Sequence, residues 1–99
     1  MPGRPYSQTE WRVKPGREDD FIRRWHDLAE WSALQGLAGP AQLFRDGDDP
    51  TRFISFGPWE SVEKVQRWRS LPGYAERIAR LVEVLERFDP HTLEQVAER

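Results

Sequence analysis

An α+β fold of ferredoxin-like βαββαβ order, with an antiparallel sheet and helices on one face, is predicted by three observations. Elements of alternating and of helical periodicity succeed one another as strand, helix, strand, strand, helix, strand over 99 residues. A turn as short as "GDDP" (47–50) joins the second and third strands, so they are antiparallel neighbours. The third strand, within "FISFGPWES" (53–61), carries large apolar groups on both faces: Phe53, Ser55, Gly57 and Trp59 on one, Ile54, Phe56 and Pro58 on the other. Helices cover only one face of such a sheet.

Residues 1–5, "MPGRP", read as a frayed arm. "YSQTEWRV" (6–13) is the first strand, with Thr9, Trp11 and Val13 on one face. "KPG" (14–16) turns the chain. A helix over 17–35 opens with Glu18, Asp19 and Asp20 in its first turn, where carboxylates meet the positive end of the helix dipole. Its apolar stripe is Phe21, Trp25, Leu28 and Ser32, widened by Ile22 and Ala29, and Gly36 stops it. "PAQLFRD" (40–46) is the second strand and 51–59 the third. Ser61 caps a short helix over 62–70, which Pro72-Gly73 breaks. A second helical segment follows, with Tyr74, Ile78, Leu81, Val82 and Leu85 on one face. "TLEQVAE" (92–98) is the last strand, with helix as the alternative. The whole chain is one domain, without repeats or low-complexity tracts.

Composition narrows the function. There are 15 basic and 17 acidic residues, interleaved rather than blocked, which speaks against a nucleic-acid surface. No cysteine is present, so disulfides, thiolate metal sites and a Cys nucleophile are excluded. No apolar run reaches membrane-spanning length and the N-terminus lacks the apolar segment of a signal peptide, so a cytoplasmic protein is expected. Five Trp and five Phe compensate for a modest aliphatic content, because each aromatic buries a large area. Ile54 and Phe56 need cover. A second copy of the chain packed face to face, a homodimer, supplies it; a folded-back tail over an edge strand is the alternative.

No phosphate loop, no His-x-x-x-His pair and no nucleophile elbow occurs. The two histidines, His26 and His91, lie far apart, and no metal site is expected. His26 sits at the margin of the helical stripe beside Trp25, either as a base facing a pocket or as a half-exposed surface residue. Trp68 and Tyr74 flank the Pro72-Gly73 break, where a gap between helix and sheet would let them stack on a flat ligand; plain core packing is the competing reading, and Trp25 faces the same layer. Trp59 closes the end of the sheet, and Trp11 and Trp31 carry no functional signal. Arg12, Arg45 and Arg52 belong on strand ends or exposed positions.

The segments "VKPGREDDF" (13–21), "LFRDGDDPTRFISFGPWES" (43–61) and "LPGYAER" (71–77), with Trp68 between the last two, resemble the antibiotic biosynthesis monooxygenase family of dimeric α+β barrels. The resemblance spans about Trp11 to Val96 and is most specific at Pro58-Trp59-Glu60-Ser61 and Trp68. It implies a homodimer and an oxidation of an electron-rich aromatic, an anthrone or quinol, by O2 without metal or flavin. The implied site has Trp68 stacking on substrate, His26 taking a proton, and Trp25, Phe53, Tyr74 and Ile78 lining the pocket. Relatives that degrade haem pair a first-strand Asn and a Trp with a ligating His. Here Trp68 matches, no Asn exists anywhere, and the His position falls near Ile78, which cannot ligate iron. A non-catalytic dimer that binds a small molecule is the other reading. A catalytic pocket would combine polar groups with the aromatics; a purely apolar one would favour binding.

Overall fold

A computed structural model describes residues 3–99. The elements are β1 (Arg4–Val13), α1 (Glu18–Ser32), β2 (Gln42–Arg45), β3 (Arg52–Pro58), α2 (Val62–Ser70), α3 (Pro72–Val82) and β4 (Leu85–Gln95). The four strands form one antiparallel sheet in the order β2-β3-β1-β4. This is the predicted ferredoxin-like α+β arrangement, with the helices against one sheet face.

The local chemistry sets the boundaries. Three carboxylates, Glu18, Asp19 and Asp20, occupy the first turn of α1. A 3-10 turn at Ala33–Gln35 extends α1, and Gly36 then takes a φ of 115°, a left-handed conformation that a residue with a Cβ adopts at a cost. The helix expected over 17–35 is thus an α-helix plus a tighter last turn. Ser61 caps α2 by accepting the backbone N–H of Lys64 at 3.2 Å. Pro72 opens α3 in its first turn, where its missing N–H is not needed. Gly73 follows because a Cβ there would lie 2.6 Å from Cζ2 of Trp31, so its absence lets α3 approach α1.

Three sequence expectations change. Arg4 and Pro5 are not an arm: they belong to β1 and pair with Gln95 and Glu94 of β4. Residues 1 and 2 of the expected arm lie outside the described residues. The last strand begins at Leu85, not near Thr92, and ends at Gln95. Leu85, which continues the helical spacing of Ile78 and Leu81, opens β4 instead, because Val84 and Leu85 are both buried where the chain reverses. Strands β2 and β3 lie within the predicted 40–46 and 51–59, shortened at both ends.

The residues of β1 and β3 alternate cleanly. Ser7, Thr9, Trp11, Val13, Phe53, Ser55 and Gly57 are buried under the helices, and their neighbours are half-buried on the opposite face. At one end of the covered layer Phe21 sits against Phe53 and Trp11, with ring centroids 5.0 Å and 5.5 Å apart, and Trp11 stacks on Phe88 at 5.6 Å. Trp59 and Trp68 fill the other end.

The opposite face holds Ile54 and Phe56, as predicted, with Tyr6, Phe44 and Leu93. Phe44 is 52% exposed and meets Phe56 edge-on at 6.1 Å. Arg12 and Arg52, expected on strand ends or at exposed positions, lie at the ends of β1 and β3 and are partly buried there in ion pairs. Arg52 donates to Glu10 at 2.5 Å and to Asp46 at 3.0 Å, and Arg12 pairs with Asp49. These aspartates also build the β2–β3 turn: Asp46 accepts from the N–H of Asp48 at 2.8 Å, and Asp49 from Thr51.

Candidate functional site

Between the two aromatic ends of the covered layer lies a small cavity of about 30 Å³. Its floor is the sheet, through Ser7, Thr9, Trp11 and Ser55; its roof is α1, through Trp25 and Ser32; Trp59, Trp68 and Tyr74 close one side. Trp68 comes from α2 and Tyr74 from α3, so the break at Leu71 brings two aromatics from different helices to the same place. The rings of Trp59 and Trp68 lie 4.7 Å apart, and Tyr74 meets Trp68 edge-on at 4.8 Å.

The polar groups of the cavity are paired in a regular way. The indole N–H of Trp11 donates to Ser55 Oγ at 2.9 Å, that of Trp59 to Ser7 Oγ at 2.9 Å, and that of Trp68 to Ser32 Oγ at 2.8 Å. A buried indole N–H needs an acceptor. Serine provides one from a side chain too short to fill the cavity. Thr9, opposite Ser55 in the β1–β3 register, adds a fourth hydroxyl. Burial raises the pKa of the Tyr74 hydroxyl, against the opposing pull of the Arg69 guanidinium, so at neutral pH this group is protonated and able to donate. The lining is therefore aromatic, aliphatic and hydroxylic, and carries no carboxylate, amine or imidazole.

A second, open groove of about 450 Å³ lies beside it, lined by Ile22, Trp25, His26, Ala41, Leu43, Arg45 and Phe53. Trp25 and Ala41 line both spaces and form the partition between them. His26 is exposed, its ring 5.6 Å from that of Trp25, and the Arg45 guanidinium lies 5.1 Å over the ring of Phe53.

The predicted residues thus divide. Trp25, Trp68 and Tyr74 converge on the smaller cavity. His26 and Phe53 face the groove on the other side of Trp25. His26 follows Trp25 directly, and one residue along a helix is a rotation of about 100°, enough to carry it past the partition. Ile78 is half-buried against the core from α3 and lines neither space. Ser32 and Ser55 were placed on their inward faces from the sequence but not as site residues, and Ser7 was not singled out. Its signal is parity, since Ser7 shares the inward face of β1 with Trp11. Among the described residues no group of His, Asp and Glu side chains converges as metal ligands would, and no helix is long and apolar enough to cross a membrane.

Comparison with known proteins agrees with the fold. A sequence model described as antibiotic biosynthesis monooxygenase matches residues 6–80. No curated protein matches the chain. Among solved structures, a variant of SnoaB, a cofactor-independent oxygenase from Streptomyces nogalater, superposes with a TM-score of 0.83 at 16% identity, covering 92% of this chain and 91% of its own. A Bordetella bronchiseptica protein, provisionally assigned as an antibiotic biosynthesis monooxygenase, gives 0.84 at 22% identity, covering 96% and 99%. A conserved protein from Methanosarcina mazei Go1 gives 0.83 at 13% identity, covering 94% and 93%. At these identities the structures establish the shared fold.

Proposed function

This chain belongs to the antibiotic biosynthesis monooxygenase family, and we propose that it oxidises an electron-rich aromatic, an anthrone or quinol, with O2 and without a metal or organic cofactor. The observation that carries this reading is the joining of indole rings and hydroxyl donors around one small cavity beside a groove of about 450 Å³, a volume within the usual range for small-molecule sites. The inner cavity alone, at about 30 Å³, is too small for an aromatic ring system. The ring system therefore lodges in the groove, against Phe53 and Trp25, and reaches the inner cavity by displacing Trp25.

The chemistry asks little of the protein beyond binding, orientation and charge stabilisation. His26, at the mouth of the groove, takes a proton from the acidic carbon or phenol of the substrate. The resulting anion gives one electron to O2. The radical pair recombines as a peroxide at carbon, and loss of water leaves a carbonyl. For an anthrone the balance is CH2 + O2 → C=O + H2O. Trp68 stacks on the ring as it enters, Tyr74 donates a hydrogen bond, and Ile78, one turn along α3 from Tyr74, supports that ring from behind. Oxygen uptake with a panel of anthrones and hydroquinones tests the reading. Uptake above the uncatalysed rate is expected on at least one member, and Trp68→Ala is expected to lower it at least about tenfold, the scale on which misplaced substrate costs rate. Uptake unchanged in that variant refutes the role of Trp68. The absence of any ionisable base from the inner cavity favours a second reading, a non-catalytic dimer that binds a small molecule; it prevails if no member of the panel is consumed.

A second copy of the chain completes the proposed molecule, as a cytoplasmic homodimer packed through the open sheet face. The exposed Phe44 and Leu93, beside Tyr6, Ile54 and Phe56, support this. Sedimentation at micromolar concentration is expected to give twice the chain mass of 11.7 kDa; a single-chain mass overturns it.

A further inference from the structure

Ser7, Ser32 and Ser55 are 8%, 3% and 8% exposed and line one cavity. Each accepts an indole N–H from a different tryptophan. A serine hydroxyl has one proton and two lone pairs. With a lone pair engaged by an indole, the proton remains as the distinctive polar function. Among the described residues the hydrogen bonds of these three side chains are all made as acceptors. A buried donor with no acceptor is costly. Accepting from an N–H also polarises the O–H and makes it a stronger donor. Three such donors around one space, with no charged group among them, are arranged for an acceptor that arrives from outside.

We infer that Ser7, Ser32 and Ser55 form a donor notch that binds an acceptor oxygen, carbonyl or phenolate, of a planar aromatic ligand, and thereby select which aromatics the site takes. The notch, at about 30 Å³, suits an oxygen atom rather than a ring. The ring follows in the space that Trp25 vacates and in the groove beyond it, since Trp25 and Ala41 border both spaces. A hydrocarbon of the same shape leaves the hydroxyls without partners and binds weakly. The inference rests on the reading of this cavity as the ligand site and specifies what that site recognises.

Fluorenone and fluorene share one ring system and differ at one position, C=O against CH2. Their affinities for the whole chain, read anaerobically by quenching of tryptophan fluorescence, test the notch without turnover. Fluorenone is expected to bind at least about tenfold more tightly, the value of one well-made hydrogen bond in a buried site. In Ser32→Ala the preference is expected to shrink towards parity. Because that change also strips Trp68 of its acceptor, Ser32→Ala combined with Trp68→Phe is measured beside it, leaving neither group unmatched; the preference shrinks there too. Equal affinities in the wild type, binding of neither probe, or a full preference retained in the folded variants each overturn the notch. Should neither variant fold, the wild-type ratio decides alone. Oxygen uptake separates this outcome from the enzymatic reading: uptake with equal probe affinities overturns the notch alone, and a fluorenone preference without uptake overturns the oxidation alone.

Discussion

The two faces of the sheet are made from the same strands and handle polar groups in opposite ways. On the covered face, Ser7, Ser32 and Ser55 each meet one tryptophan in a neutral hydroxyl–indole bond. On the open face, Arg52 bridges Glu10 and Asp46, and Arg12 holds Asp49. Burial decides the difference. Charges under a helical layer lose their hydration, a loss that their mutual attraction offsets only with excellent geometry. A hydroxyl and an indole lose far less. The covered face therefore keeps hydrogen-bonding capacity without charge. The charged face ties the β2–β3 turn to β1.

The comparison is broken most severely by emptying the covered face. Phe53→Ala removes a ring that is 1% exposed and packed on Phe21; a loss of about 3–5 kcal/mol in urea unfolding is expected. A loss under about 1 kcal/mol would mean that the layer collapses around the hole. Next in size is Ser32→Ala, which leaves the Trp68 indole without its acceptor. About 1–3 kcal/mol is expected, and a smaller loss when Trp68→Phe is added, since removing both partners strands neither. Equal losses in the single and double variants would show that the bond itself contributes nothing.

The smallest effect belongs to the open face. Hydrogen bonding from Arg52 lowers the pKa of Glu10; the Asp48 N–H and then Arg52 lower that of Asp46; the Thr51 side chain and N–H, with Arg12, lower that of Asp49. Carboxylates with depressed folded-state pKa values contribute stability that is present above their unfolded-state values and is lost as pH falls through the folded ones. Melting temperature is expected to be flat from neutrality to about pH 5 and to fall below it. In Arg52→Ala that acid slope becomes shallower, with little change at neutral pH and less still in high salt. An unchanged slope would assign the acid sensitivity elsewhere.

How much of this was legible in the sequence depends on whether a feature is local. Gly36, Ser61 and Pro72 act within one turn of the chain, and each marks the boundary it was read to mark. The alternation in β3 is equally local and correctly sent Ile54 and Phe56 away from the helices. The convergence of Trp25, Trp68 and Tyr74 followed from apolar stripes meeting at a helix break. The start of β4 was hidden because Ile78, Leu81 and Leu85 keep helical spacing across the true boundary, and because Pro90 looks like a breaker. The indole–serine pairs join residues 44, 52 and 36 positions apart, and nothing local distinguishes Ser7 from an ordinary strand hydroxyl. His26, read at the margin of the α1 stripe beside Trp25, lies exposed there and lines the open groove.

Pro90 has a wider consequence. It lies inside β4, opposite Thr9, on the outermost strand, a position where a missing N–H is tolerated. Glu86, Arg87, Asp89 and Glu94 accompany it on that strand. The other margin, β2, is only four residues long. Neither rim offers an unbroken row of N–H and C=O groups on which a further strand could template, so the sheet resists ribbon-like growth. A contact with two-fold symmetry closes on itself at two copies, where a head-to-tail contact at such a rim would propagate into a fibre.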